Sequence, residues 1–132
     1  MEDIFQKIYS PKVLKHMKNP KNMGKIADAN AQSLVGNPHC GDVMKLYLKI
    51  IKNGGQEYIK DIKFQTLGCG AAIATSSMIT TLVKGKRLDE AEKVTEKAIA
   101  EALGGLPPIK FHCSVLSAEA LKKAIADYRS GK

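Results

Sequence analysis

Met44-Lys45-Leu46-Tyr47-Leu48-Lys49-Ile50-Ile51 is followed by Lys52-Asn53-Gly54-Gly55-Gln56 and then by the run Tyr58 to Thr66, YIKDIKFQT. The reading of this stretch decides the fold. In the first run Leu46, Leu48 and Ile50 alternate with Lys45, Tyr47 and Lys49, the period-two signature of a half-buried strand. Asn53-Gly54 is a strong two-residue hairpin cue, because its backbone tolerates positive φ. The second run puts Ile62 and Phe64 on one face with Tyr58 and Lys60, and Ile59, Asp61 and Lys63 on the other. The two runs predict an antiparallel pair with one face packed and one face wet.

Working towards the C-terminus, Gly68-Cys69-Gly70 closes the second run. Ala71 to Val83 then carries no charge and many small residues, which predicts a helix packed on several sides. It is too short to cross a bilayer. Lys84-Gly85-Lys86-Arg87 breaks it, Leu88 to Val94 is a short helical piece, and Thr95 caps a helix over 96–103 that Gly104-Gly105 ends. Leu106-Pro107-Pro108-Ile109-Lys110 is stiff and extended. A last helix begins at His112-Cys113; Leu121, Ala124, Ile125 and Tyr128 form its apolar stripe, against Glu119, Lys122, Lys123 and Arg129. Working towards the N-terminus, Lys25 to Val35 is an irregular strand and Asn19 to Gly24 a loop. Ile4 to Asn19 is a helix with Pro11 in a first turn after Ser10. The expected fold is an α+β two-layer sandwich: a small antiparallel sheet of about three strands with helices on one face, one domain over 1–132.

The bulk numbers narrow the function. Net charge is +8, from 21 basic and 13 acidic residues, which permits nucleic acid or acidic partners. Trp is absent and aromatics are 5%, so stacking platforms for single strands are poorly supplied. With no zinc-finger or Walker pattern, the charge is read as a solvated lysine-rich surface, and no nucleic acid is expected. No apolar run has membrane-spanning length, and Met1-Glu2-Asp3 opens neither a secretory signal nor a transit peptide. A cytoplasmic protein with no membrane partner is expected.

The chain has three cysteines, Cys40, Cys69 and Cys113. An odd number without a secretory signal argues against a disulfide framework. Each lies in a glycine-rich or proline-rich loop at an element boundary, whereas core cysteines usually fall inside apolar runs. Cys40-Gly41-Asp42 spaces two ligand types around a glycine that lets the backbone curl. Cys69 sits between glycines at the edge of a helix. Cys113 stands at a helix N-terminus with Lys110 and His112 nearby, and all three influences favour thiolate. His39 is read as an exposed loop histidine rather than a further ligand. The ligand inventory is Cys40, Cys69 and Cys113, with Asp42 or His112 as the fourth. It suits tetrahedral zinc, and it suits iron–sulfur. A permanent cluster is normally held by four cysteines. A carboxylate or imidazole corner is harder and more exchangeable, which favours a cluster that is built and then surrendered.

Four pieces carry a resemblance: Tyr9-Ser10-Pro11-Lys12-Val13 with Asn19-Pro20; Gly36-Asn37-Pro38-His39-Cys40-Gly41-Asp42; Gly68-Cys69-Gly70-Ala71-Ala72-Ile73-Ala74; and Leu106 to Lys110 leading into His112-Cys113-Ser114. Taken in this order, they make the chain similar to the IscU-type (NifU N-terminal-like) iron–sulfur cluster assembly scaffolds over nearly its whole length. The resemblance implies a non-enzymatic scaffold for a [2Fe–2S] cluster on Cys40, Cys69 and Cys113. Asp42 and His112 would alternate as fourth ligand, with Asp42 promoting lability. It implies Fe2+ as the iron supplied, and Zn2+ able to fill the same ligands in the cluster-free form. Sulfur would arrive as persulfide on Cys113 from a pyridoxal-phosphate cysteine desulfurase, with Lys110 assisting deprotonation. Leu106–Lys110 resembles the segment that a dedicated Hsp70-type chaperone grips, and an extended Pro-Pro segment suits capture in a groove. Apo iron–sulfur proteins, a ferredoxin and a frataxin-like protein are further implied partners, and a homodimer is compatible. The desulfurase-linked zinc type of this superfamily carries an insertion after the middle cysteine and lacks the histidine before the last one. His112 and the absence of an obvious insertion favour the scaffold type. The alternative is a zinc-bound sulfur acceptor for a desulfurase.

Overall fold

A computed structural model describes residues 9–37, 42–68, 70–106 and 111–130. Three strands, β1 (Ala31–Asn37), β2 (Asp42–Asn53) and β3 (Gln56–Leu67), form an antiparallel sheet in that order. Five helices complete the described residues: α1 (Pro11–Lys18), α2 (Gly70–Val83), α3 (Leu88–Ala91), α4 (Glu96–Ala102) and α5 (Phe111–Arg129). The α+β expectation holds, with the helices packed on one sheet face.

The β2–β3 hairpin turns on Gly54 and Gly55, with φ of 62° and 82°, while Asn53 pairs with Gln56 as the last ladder residue. A two-residue loop with both central φ positive matches the twist of the strands it joins, and glycine supplies it without strain. The Asn-Gly cue therefore marks the right place one residue early. A second departure is larger. Ile59 is fully buried beside Ile62 and Phe64 instead of facing water with Asp61 and Lys63. The register shifts between Lys49↔Asp61 and Ile50↔Ile59, so Lys60 is an extra residue on β3. Such a bulge reverses the side-chain alternation beyond it and returns Ile59 to the packed face.

The packed face carries Met44, Leu46, Leu48 and Ile50 from β2 and Ile59, Ile62 and Phe64 from β3, all at most 3% exposed. Over it lie α2, with ten buried residues, and α5, whose Leu121, Ala124 and Ile125 are buried as the stripe predicts. Tyr128 is only partly covered, and the nearby Glu57 carboxylate is the main cause holding its phenol above the usual 10.0. The opposite sheet face exposes Leu34 (57%) and Leu67 (74%). β1 begins six residues later than expected. Asn30 supplies the reason: its side chain exchanges two hydrogen bonds with the backbone of Ile50, at 2.7 and 2.8 Å, and starts the ladder. Thr95 caps α4 as predicted, accepting from Ala98 N–H at 3.1 Å.

A continuous helix from Ile4 to Asn19 is not observed. Ser10 is extended (ψ 160°) and caps α1, accepting from Val13 N–H, and Pro11 is the first helical residue. Proline disfavours helical backbone in the residue before it, so no helix runs through Ser10. Residues 4–8 lie outside the described residues. The Ser10 hydroxyl also donates to Leu103 O, tying the start of α1 to the end of α4.

α1 docks on α2 through His16. Its Nδ1 lies 2.7 Å from Ser77 Oγ, and that oxygen also accepts Lys21 N–H at 2.8 Å. The Ser77 hydroxyl can donate to Nδ1 when that nitrogen is unprotonated. Burial first, then Lys15 and Lys21, hold the His16 pKa below 6.5. The native state thus binds fewer protons than the unfolded chain. This contribution to stability is complete above pH 6.5 and is lost as pH falls below it towards the lower folded value. Thermal melts between about pH 7 and pH 5 are expected to show a falling Tm, with a shallower slope in His16→Gln. Equal slopes for the two proteins would remove His16 from the account.

Candidate cluster-assembly site

Three element boundaries meet at one end of the sheet. Gly36 pairs with Val43, and Val43 pairs with Leu67. The end of β1, the start of β2 and the end of β3 therefore share one row about 10 Å wide, two strand spacings. Residues 38–41 connect β1 to β2, and residues 68 and 69 connect β3 to α2. Cys40, Cys69, His39, Lys110 and the side chain of Asp42 lie outside the described residues; so does the segment 107–110 of the Leu106–Lys110 stretch. Backbone pairing nevertheless brackets Cys40 between Asn37 and Asp42, and Gly70 opens α2 directly after Cys69.

Cys113 and His112 are described. α5 starts at Phe111, so these are its second and third residues, and the thiol stands inside the first helical turn rather than ahead of it. Cys113 is fully buried. Its Sγ lies 3.6 Å from His112 Nε2, so thiol and imidazole share one neighbourhood. The carbonyl of Cys113 faces α2, where Thr75 Oγ1 donates to it from 3.2 Å. Thr75 is five residues beyond Gly70, about 7.5 Å along the helix axis. Connectivity thus brings Cys113 to the same end of the molecule as the chain flanking Cys40 and Cys69. Among the described residues, no group of three His, Cys, Asp or Glu side chains is close enough to hold a metal ion.

Gly70 faces the Met17 side chain of α1 as well as standing beside Cys69 in the chain. A Cβ there would run into the end of the Met17 side chain, which would have to shift. Sequence reading missed Thr75 and Ser117. Their signal was available: hydroxyls in a charge-free helix and on the facing stripe need partners once buried.

The chain matches the NifU-like N terminal domain over residues 8–132. It belongs to that family. Among curated relatives it is 57% identical over 127 residues to iron-sulfur cluster assembly scaffold protein IscU 1 of Archaeoglobus fulgidus, covering 95% of this chain and 80% of the relative. It is 52% identical over 125 residues to the IscU scaffold protein of Escherichia coli K12, covering 92% of this chain and 94% of the relative. The fold is shared with the N-terminal part of a NifU-like protein from Brucella abortus, with a TM-score of 0.70 at 18% identity and coverage of 98% and 99%. No helix among the described residues is long and apolar enough to cross a membrane.

Proposed function

We propose that this chain is a scaffold on which an iron–sulfur cluster is assembled and from which it is handed on. The observation that supports the reading is that Cys113 O bonds Thr75, in the helix that follows Cys69, while strand register puts the flanks of Cys40 and the end of β3 at one end of the sheet, in a chain more than half identical to an IscU scaffold. Cys40, Cys69 and Cys113 hold the cluster, and Asp42 and His112 exchange at the fourth position. The nearness of His112 Nε2 to Cys113 Sγ, 3.6 Å, supports the imidazole's share in that exchange.

The cargo is a labile [2Fe–2S] cluster. A cysteine desulfurase persulfide supplies sulfur: the Cys113 thiolate attacks its outer sulfur, the S–S bond breaks, and the donor thiolate leaves. Lys110 assists loss of the Cys113 proton. Reducing two sulfane sulfurs to sulfide takes four electrons. Two ferrous ions supply two of them on becoming ferric, and a ferredoxin supplies the others. A frataxin-like protein is a further partner in assembly. Release to apo-proteins is aided by a chaperone of the Hsp70 type gripping Leu106–Lys110. The work is done in the cytoplasm, and Zn2+ occupies the same thiolates when no cluster is present.

Anaerobic incubation with desulfurase, cysteine and ferrous iron is expected to give a coloured protein with sulfur-to-iron charge-transfer bands. A colourless protein that still takes up persulfide would replace this reading with the zinc-bound sulfur acceptor.

A further inference from the structure

α2 and α5 pack against each other through buried side chains. α2 is rich in small buried residues, Ala71, Ala72 and Ala74 among them, all at most 2% exposed, and the hydrogen bonds that join it to α5 are made through Thr75. Small side chains let helices approach closely but interlock weakly, so sliding or rotation of one helix on the other meets little resistance from shape alone. Directional bonds must supply what shape does not.

Two buried hydroxyls do so. Thr75 Oγ1 lies 3.2 Å from Cys113 O and 3.2 Å from Ala72 O. Ser117 Oγ lies 3.0 Å from Thr75 Oγ1 and 3.2 Å from Cys113 O. Thr75 is 0% exposed and Ser117 1%, so water does not compete for these bonds. Each hydroxyl has one proton. If Ser117 donates to Thr75, Thr75 is left to donate to Cys113 O or Ala72 O. If Thr75 donates to Ala72 O, the bond that crosses is the one Ser117 donates to Thr75; if Ser117 donates to Cys113 O, it is the one Thr75 donates to Cys113 O. The pair is a buried clasp across the helix contact, centred on the backbone of Cys113. A third hydroxyl, Ser114 Oγ, donates to Phe111 O at 2.7 Å and tightens the same first turn.

We propose that Thr75 and Ser117 are positioning residues that hold the Cys113 turn of α5 in register with the start of α2, and so set where the Cys113 sulfur stands relative to the chain that carries Cys69. This rests on the reading of Cys113 as a cluster ligand. Ligand sets tolerate errors of only about half an ångström before function suffers. A clasp on the carbonyl of the ligating residue itself controls that error directly.

The test follows alkylation of Cys113, resolved by peptide mass spectrometry, in the full chain without cluster. Because the thiol is fully buried, alkylation reports opening of the α5 first turn. Thr75→Val keeps the shape and removes the hydroxyl; it is expected to raise the rate about five- to tenfold, the population change for one net hydrogen bond. Thr75→Ser restores the hydroxyl and should return the wild-type rate. Ile59→Val on β3 serves as a control that loosens the core away from the clasp. After reconstitution, Thr75→Val should also change the visible circular dichroism of the cluster, whereas Thr75→Ser should not. The proposal is overturned if Thr75→Val leaves the alkylation rate unchanged, or if Ile59→Val raises it as much at a matched loss of Tm. Should Thr75→Val fail to fold, Ser117→Ala carries the same expectation. If the wild-type chain takes up no cluster, the scaffold reading falls, and the alkylation series still decides the clasp.

Discussion

Cys113→Ala is expected to give a folded protein that stays colourless after anaerobic reconstitution. The substitution takes a sulfur from a fully buried site and leaves an apolar methyl. A truncation of that size costs about 1–2 kcal/mol, within the roughly 5–15 kcal/mol by which domains are stable. Far-ultraviolet circular dichroism should therefore match wild type. Cluster binding does not survive on the same terms. In the proposed ligand set three cysteines stand where a stable cluster normally has four, and removing one would leave two soft ligands with a carboxylate and an imidazole. Mass spectrometry after incubation with desulfurase and cysteine should find no added sulfur on the peptide that carries residue 113. Colour at wild-type intensity would remove Cys113 from the ligand set.

Phe64→Ala is expected to produce the largest loss of stability. Phe64 is fully buried at the middle of the packed face, opposite Leu46. Its backbone also ties a loop to the sheet: Phe64 N–H donates to Asn22 O at 3.0 Å, and Gly24 N–H donates to Phe64 O at 2.8 Å. The substitution keeps these bonds and empties the space of a ring beneath the helices. Such changes cost about 3–5 kcal/mol, a fall in Tm on the order of 10–20 °C for a domain of this size. Leu67→Ala on the same strand, where the side chain is 74% exposed, should shift Tm by no more than about 2 °C. Similar losses for the two would contradict the layer arrangement.

The parts of the fold legible in the sequence are those where one local rule acts alone. Alternation fixed β2, the absence of charge marked α2, and Thr95 announced its helix. Where two rules meet, the local signal fails. Strict alternation assigned Ile59 to the wet face because nothing in Tyr58 to Phe64 advertises an extra residue; the core's demand for Ile59 decided it. The apolar spacing around Val13 drew a helix back to Ile4, and the steric rule before Pro11 stopped it at Ser10. For the proposed site, glycine and proline marked the element boundaries that flank Cys40 and Cys69, and strand register puts the end of β1, the start of β2 and the end of β3 in one row, whereas Cys113 stands inside the first turn of α5. The clasp was not legible, because Thr75 and Ser117 meet only once α2 and α5 are packed, and hydroxyl-rich helices have many other uses for such residues.

The crowding of α2 limits how its motion can be watched. Thr81 is its one exposed position. A spin label or fluorophore anywhere else on the helix would need room that its neighbours already fill. Distance measurements during cluster loading should therefore run from a tag at Thr81 to a second on the outward side of α5, at Glu119 or Lys122, both exposed.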